Sequence, residues 1–228
     1  MKIPKFFDPA VVNRRLHQVA LYLTAWETIR SAIIERVKGV FTNNWIIDDN
    51  GKLRGTPTEE YKVRVISLHP KDELHACSLW LLEMGAFDEA DIDQIAVARR
   101  HRNSIGHEII DYITRDDTEV DRNTISMIYR LVKKLDTWWL TEIELSIQPD
   151  VSDEMYEAAR RGEATGGYSF LLELILPVFD GDFDTLHDLH TNLNKMAEQA
   201  GTGQPATRPE SKSEGSDKPQ PEAEGRSR

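Results

Sequence analysis

Cysteine is almost absent from this sequence, and no apolar run is long enough to cross a membrane. The 228 residues include one cysteine, Cys77, which excludes an intramolecular disulfide and a cysteine-cluster metal site. The longest apolar stretch, residues 170–179, is interrupted by Glu173 and Pro177. The N-terminal residues lack the continuous apolar core of a signal peptide. The sequence therefore predicts a cytoplasmic protein with no membrane segment, in which Cys77 is a buried, inert thiol.

Positive charge is also scarce. The chain has 28 lysines and arginines against 39 aspartates and glutamates, a formal net charge of -11. A general nucleic-acid-binding protein usually carries a basic face and a high isoelectric point. Any contact with RNA must therefore be local, brief, or dependent on a dimer that concentrates the few cations.

The spacing of apolar residues predicts an all-α fold, an up-down helical bundle with extra C-terminal helices. Val12, Leu16, Val19 and Leu23 begin a three-to-four spacing that indicates one long helix from about residue 9 to 40. Residues 45–53 contain Asp-Asn-Gly, typical of either a small hairpin or a loop. A short helix is predicted to begin around Thr56 and to end near residue 67. Further helices are expected at residues 72–84, from 88 through 113, and at 121–147, 153–161, 168–179 and 182–199.

Composition divides the chain into three regions. Residues 1–150 are predicted to form the helical bundle, and residues 151–200 a C-terminal helical extension packed on it. From about Gly201 onward the sequence lacks large apolar residues and is rich in glycine, proline, serine and charge. Such a segment buries too little surface to offset its ordering entropy, so residues 201–228 are predicted to be a disordered tail.

The most informative segment is residues 99–108, RRHRNSIGHE. It places Arg99, Arg100 and Arg102 within four positions of a chain that is otherwise strongly acidic. Helical spacing puts Arg99, Asn103 and His107 on one stripe. Arg102 and His107 are five positions apart, which is about 140° around an ideal helix.

These side chains have the properties that RNA cleavage without a metal requires. The 2′-hydroxyl of RNA is the nucleophile, and the reaction needs a base, an acid and positive charge on the phosphate. Histidine titrates near working pH, and arginine holds phosphate oxygens without losing its proton. One helix supplies a single histidine, so a two-fold dimer would bring the second copy that completes the site.

The segment from Arg102 to His107, RNSIGH, resembles the motif of the HEPN superfamily, in which an arginine and a polar residue precede a histidine. Trp26 and Glu27 on a long first helix are similar to the family's opening helix. The run Leu79 to Leu82, followed by a glycine turn and an acidic helix start, also matches the family's order. The resemblance covers roughly residues 10–147.

The resemblance implies a helical bundle that dimerises through the motif helices. Many members are metal-independent endoribonucleases, often toxins or antiviral effectors. By this resemblance Arg102 would stabilise the phosphate, Asn103 would assist, and His107 would be the general acid or base. Arg99 and Arg100 are expected to bind substrate. The expected partners are RNA, a second copy of the chain, and an antitoxin or another regulatory protein.

Two other functions remain open from the sequence. Some HEPN proteins are non-catalytic interaction modules, and others sense a small phosphorylated ligand such as a nucleotide. The sequence predicts no bound metal and no cofactor, because Asp184, His187, Asp188 and His190 lack the pattern of a zinc motif. His101 is expected to point outward with no role.

A second cationic region lies on the later helix. Lys133, Lys134 and Arg130 give it a basic edge, interpreted as a solvated face, with a contact to the RNA backbone as the alternative. Trp138 and Trp139 are adjacent and cannot share one helix face. One is expected in the core, and the other to cover a loop or a partner surface, with base stacking as the alternative.

Overall fold

The structure is a computed structural model that describes residues 7–47, 49–51, 53–163 and 166–201. These residues form a helical bundle with one small hairpin, which confirms the predicted all-α class. The helices are α1 (Pro9–Val40), α2 (Glu59–Arg64), α3 (Glu73–Glu83), α4 (Glu89–His107), α5 (Ile109–Thr114), α6 (Arg122–Trp139), α7 (Asp153–Arg160), α8 (Gly167–Asp180) and α9 (Phe183–Gly201).

Helix α1 is the centre of the bundle, because α3, α4, α5, α6 and α8 all pack against it. Its 32 residues have the bounds that the apolar spacing predicts. The side chain of Asp8 caps its first turn by accepting a hydrogen bond from the Ala10 N–H at 2.9 Å, and Pro9 occupies the first helical position. The core residues on α1 include Tyr22, Ile29 and Ile33, which are almost fully enclosed.

A hairpin follows α1, which decides between the two structures that the sequence left open. Strand β1 (Thr42–Ile47) pairs antiparallel with β2 (Leu53–Pro57), with Trp45 opposite Gly55. Gly51 in the connecting turn has φ of 74°, a conformation that favours glycine. The prediction that a helix begins around Thr56 was wrong. Thr56 is held in the β ladder, and α2 begins only after Thr58.

Helix α3 and the start of α4 lie where the sequence predicts. Asp72 caps α3 by accepting a hydrogen bond from the His75 N–H, and Gly85 follows its end at φ of 78°. At the start of α4, the side chains of Asp88 and Asp91 each accept the other's backbone N–H, at 3.0 and 2.8 Å. This reciprocal capping box fixes the beginning of the helix that carries the motif.

The end of α4 differs from the prediction. The apolar pattern indicated one helix continuing through residue 113, but α4 ends at His107. Glu108 leaves helical geometry with ψ of 28°, and α5 begins a new direction at Ile109. The predicted helix over residues 121–147 is likewise divided. Helix α6 is followed by a π-helical turn, Leu140–Glu144, and a 3₁₀ turn, Leu145–Ile147.

A buried carboxylate joins α1, α6 and α8. An oxygen of Asp136 lies 2.5 Å from Nη2 of Arg36, and the arginine also faces the rings of Trp139 and Tyr168 at 5.4 and 5.3 Å. The other oxygen accepts hydrogen bonds from the backbone N–H, at 2.9 Å, and the hydroxyl of Ser169. This charge is therefore paired and hydrogen-bonded, as a buried charge must be.

Contacts divide the chain into two compact units, Met1–Leu186 and His187–Arg228. The described part of the second unit is the remainder of α9, where the Thr191 hydroxyl donates to the His187 carbonyl at 2.9 Å. The predicted boundary near residue 150 stays a prediction. The predicted disordered tail lies outside the described residues except for Gly201.

We expect Asp136→Ala to lower the free energy of unfolding by about 3–5 kcal/mol, because it leaves the Arg36 guanidinium buried without its counter-ion. Urea denaturation measures the loss. Asp93→Ala, at an exposed position on α4, is the matched control and should change stability by less than about 0.5 kcal/mol. Equal changes in the free energy of unfolding for the two substitutions would contradict the proposed contribution of this ion pair to stability.

Candidate functional site

The residues of the motif divide between a cleft and the exposed surface. Arg99, Arg102 and Asn103 line one cleft of about 290 Å³, which lies between α1, the start of α3 and α4. Arg100 and His107 are exposed, and neither lines this cleft. The structure therefore brings together three of the five residues that the sequence singled out.

The cleft is richer in cations than the sequence motif indicates. Arg30 from α1 and Lys71 from the segment before α3 line it together with Arg99 and Arg102. The spacing along one helix cannot reveal Arg30 and Lys71, because they come from elements distant in sequence. Trp26, which is only 4% exposed, belongs to the same cleft wall.

Some of these cations are already paired with carboxylates. Arg99 forms an ion pair with Asp72, and Nη1 of Arg30 lies 3.4 Å from a carboxylate oxygen of Glu27. Partial burial acts to raise the pKa of Asp72, but the hydrogen bond and charge of Arg99 and the N–H of His75 outweigh it. The pKa of Asp72 is consequently below its ordinary value, and its carboxylate remains a counter-ion for Arg99.

Arg102 differs from Arg99 and Arg30 in its ion pairing. Among the residues that the structure describes, neither Arg102 nor Lys71 forms an ion pair. The guanidinium of Arg102 extends along α4, and its Nη1 lies 3.8 Å from the position that a Cβ would take at Gly106. Arg102 is half-buried, so its charge is partly desolvated and not neutralised by a neighbour. A guanidinium in that condition is suited to hold an incoming anion.

His107 is the last residue of α4, and it is exposed. The structure shows no hydrogen bond to its ring from any residue within the described ranges. Nearby, the Ser104 hydroxyl donates to Glu108 at 3.0 Å and lies 3.2 Å from the Tyr112 hydroxyl oxygen. These contacts order the turn that ends the helix, and they leave the imidazole accessible from outside the protomer.

His101 was predicted to point outward, and this prediction was wrong. Its Nε2 accepts a hydrogen bond from the Asp121 N–H at 3.2 Å, and its ring meets the edge of Tyr22 at 4.7 Å between centroids. The sequence contained a signal for this, because His101 lies between Ala98 and Ile105 on the apolar stripe of α4. Burial lowers the pKa of His101, and the charge of Asp121 only partly opposes the shift.

Behind the cleft, polar side chains connect to the single thiol. The Tyr61 hydroxyl donates to Glu73 at 3.0 Å and lies 3.3 Å from Sγ of Cys77, while Lys38 pairs with Glu73 at 3.0 Å. Cys77 is buried and free, as predicted. Burial raises the pKa of its thiol to about 11, although the Tyr61 hydrogen bond acts in the opposite direction.

No protein-family model, curated protein or solved structure matches this chain. Over the described ranges, no group of three or more histidines, cysteines, aspartates or glutamates is placed to hold a metal ion. Within the same ranges, no helix combines the length and the apolar character that a membrane crossing requires.

The lowered pKa of His101 predicts a loss of stability in acid. In the unfolded chain this ring takes up a proton near its ordinary pKa of about 6.5. The folded protein resists protonation, so stability is fully present above that pH and falls as pH decreases below it. His101→Gln should reduce the loss between about pH 7.5 and 5.5, measured by urea unfolding.

His17→Gln is the matched control for this measurement, because His17 is exposed on α1. It should leave the pH dependence of the wild type unchanged. A His101→Gln protein with the same pH dependence as the wild type would show that the ring does not titrate differently on folding.

Proposed function

We propose that the chain is a metal-independent endoribonuclease whose site combines Arg102 and Asn103 of one protomer with His107 of a second. The observation that carries this proposal is the guanidinium of Arg102, which has no ion-pair partner within the described ranges and lines a cleft beside Asn103 while His107 lies outside it. The resemblance of RNSIGH to the HEPN motif supports the same chemistry. That resemblance further suggests a cytoplasmic toxin or antiviral effector, with an antitoxin as a possible regulatory partner.

In this mechanism the 2′-hydroxyl oxygen attacks the adjacent phosphorus and loses its proton. A bond forms between the 2′-oxygen and phosphorus, and the bond to the 5′-oxygen breaks. His107, as acid or base, transfers one of the two protons that move, and solvent water exchanges the other, either taking up the 2′-hydroxyl proton or supplying the proton of the 5′-oxygen. Arg102 neutralises charge that develops on the phosphate oxygens, and Asn103 orients the phosphate. The products are a 2′,3′-cyclic phosphate and a free 5′-hydroxyl.

The need for a second copy comes from the geometry of α4. Arg102 and His107 are separated by about 140° around the helix. Within one protomer Arg102 therefore leaves α4 in a different direction from the imidazole, although Asn103 lies on the same stripe of the helix as His107. A two-fold axis between antiparallel α4 helices would present the exposed His107 of each copy to the Arg102 cleft of the other.

The charge distribution sets limits on the substrate. With a net charge of -11, the protein repels polyanions at long range. Binding then depends on short-range contacts with Arg102, Lys71 and those cations that exchange a carboxylate for a phosphate. Such binding weakens as the salt concentration increases. The slope of log affinity against log salt concentration should correspond to few phosphate contacts.

A non-catalytic interaction module is the second candidate. One observation favours it: a catalytic histidine is usually oriented by a hydrogen bond to its other ring nitrogen, and the described residues provide none for His107. In this alternative α4 forms the interface with a partner or a second copy, and the cleft arginines pair with acidic residues there. A nucleotide-sensing module would instead show thermal stabilisation by a nucleotide.

We expect wild-type protein to cut total RNA or tRNA in EDTA and to leave 2′,3′-cyclic phosphate ends. Arg102→Ala and His107→Ala should each reduce the cleavage rate by about 100-fold or more, because each removes an interaction made in the transition state. Mapping of the cut ends measures both the rate and the chemistry. Arg130→Ala, at an exposed position on α6, is the control and should retain wild-type cleavage.

Mixed dimers test whether the site is composite. Coexpressing Arg102→Ala with His107→Ala gives dimers in which one site has lost both residues and the other has lost neither. Random assembly should then restore about a quarter of wild-type activity. If Arg102 and His107 acted within one protomer, the mixture would remain inactive. No cleavage by the wild type on any RNA would favour the interaction module.

A further inference from the structure

A second cationic surface lies on α6, away from the motif. A groove of about 460 Å³ runs between α6, the end of α7 and the turn that follows α3. Its lining includes Lys133, Lys134, Arg160 and Arg161, and Trp138 lies among them. Among the residues that the structure describes, no carboxylate side chain lines this groove, although the protein is strongly acidic overall.

Backbone segments shape the walls of the groove. Gly85 and Gly162 both line it, and they have φ of 78° and 71°. A Cβ at Gly162 would lie 3.7 Å from the Thr137 hydroxyl oxygen, so the end of α7 closely approaches α6. Thr141, within the π-helical turn at residues 140–144, also lines the groove. π-helical turns are rare and often mark functional sites.

Each cation of the groove has a carboxylate partner outside the lining. Lys134 is held by Asp88, at 2.8 Å, and by the buried Asp91 of the α4 capping box, so it is not free to exchange its partners. The other three pairs are with carboxylates that are not buried: Lys133 lies 3.5 Å from Glu173, Arg160 lies 3.9 Å from Glu157, and Arg161 lies 2.5 Å from Glu163. The Arg161 pair is more than half exposed on both sides. Exposed pairs of this kind contribute little stability, so a phosphate can replace the carboxylate at small cost.

This arrangement indicates which anion the groove can take. A single phosphate would gain one weak contact, since no charged group in the lining is fully buried. A chain of phosphates makes several such contacts at once and gains from their combination. The positions from Lys133 to Thr141 extend over about 12 Å of helix, the length of roughly two nucleotides, and the half-buried Trp138 offers an aromatic face between them.

We propose that this groove binds single-stranded RNA, with one base stacked on Trp138 and the neighbouring phosphates held by Lys133, Arg160 and Arg161. The groove shares none of its lining residues with the cleft of Arg102. The proposal is therefore independent of whether the chain cuts RNA. If it does, the groove holds a part of the strand that the cleft does not contact.

Binding to a strand that cannot be cleaved tests this proposal separately from the cleavage chemistry. The probe is a fluorescent, 2′-O-methylated single-stranded RNA of about twelve nucleotides, followed by anisotropy. We expect Trp138→Leu to weaken binding by about fivefold or more, because base stacking on the ring is lost. Trp138→Phe preserves an aromatic face and should retain most of the affinity. This second variant keeps the test valid if the leucine variant folds poorly.

Matched controls come from the same chain. Trp45→Leu changes a half-exposed tryptophan in the hairpin, and Arg130→Ala changes an exposed cation of α6 outside the groove lining. Neither should alter binding. Arg160→Ala combined with Arg161→Ala should weaken binding and lower the salt dependence by one to two phosphate contacts. Arg102→Ala should leave Trp138-dependent binding in place.

Three results would overturn the proposal. The first is no binding of the RNA by wild-type protein at low salt. The second is binding that neither Trp138→Leu nor the double arginine variant weakens more than the controls. The third is that AMP competes with the RNA at equal concentration, because this would identify the groove as a site for a free nucleotide.

Discussion

The carboxylate of Asp136 is the interaction on which the rest of the bundle depends. It is the point where three helices from distant parts of the sequence meet through one charge. One of its oxygens forms an ion pair with Arg36 of α1, and the other accepts hydrogen bonds from the first turn of α8. Gly166 leaves the space that this close approach requires, since a Cβ there would meet the carboxylate. Helix α8 is thereby joined to the same frame that positions α4 and its cleft.

The distribution of charge connects the fold to the proposed function. Most cations in the described residues have a carboxylate close by, as expected in an acidic protein. Arg102 differs because it is half-buried and lacks such a neighbour among the described residues. The groove on α6 differs again, because each of its cations has a carboxylate partner that lies outside the lining. RNA would have to displace those carboxylates there, whereas at Arg102 it would meet a guanidinium without such a neighbour.

Local sequence signals predicted most of the helices. The helix starts predicted at residues 72, 88 and 121 are confirmed, and at each of them an aspartate oxygen accepts a hydrogen bond from an N–H group within three residues. The break at Glu108 was missed because the apolar pattern continues on both sides of it. Periodicity reports which residues are buried, and two successive helices packed on one core give nearly the same pattern as one.

The candidate site was only partly predictable. Arg99, Arg102 and Asn103 share a helix, so their proximity followed from spacing. The contributions of Arg30 and Lys71 depend on how α1 and the start of α3 pack beside α4, which no local pattern reveals. The prediction for His101 was wrong because the ring belongs to the apolar stripe of α4 and packs against Tyr22, although charged arginines flank it in sequence.

The hairpin between α1 and α2 has a consequence for how the quaternary state is measured. Its two strands have no third partner among the described residues, and Trp45, Ile46 and Ile47 on β1 are all at least half exposed. Open strand edges with apolar side chains are templates for pairing with another chain. Self-association measured by sedimentation at high protein concentration is therefore not by itself evidence for the proposed docking of α4 helices, because edge-to-edge pairing of hairpins would give the same signal. Two measurements distinguish an oligomer formed by hairpin pairing from a functional one. One repeats the experiment at lower protein concentration, and the other uses a variant with a charged residue on β1.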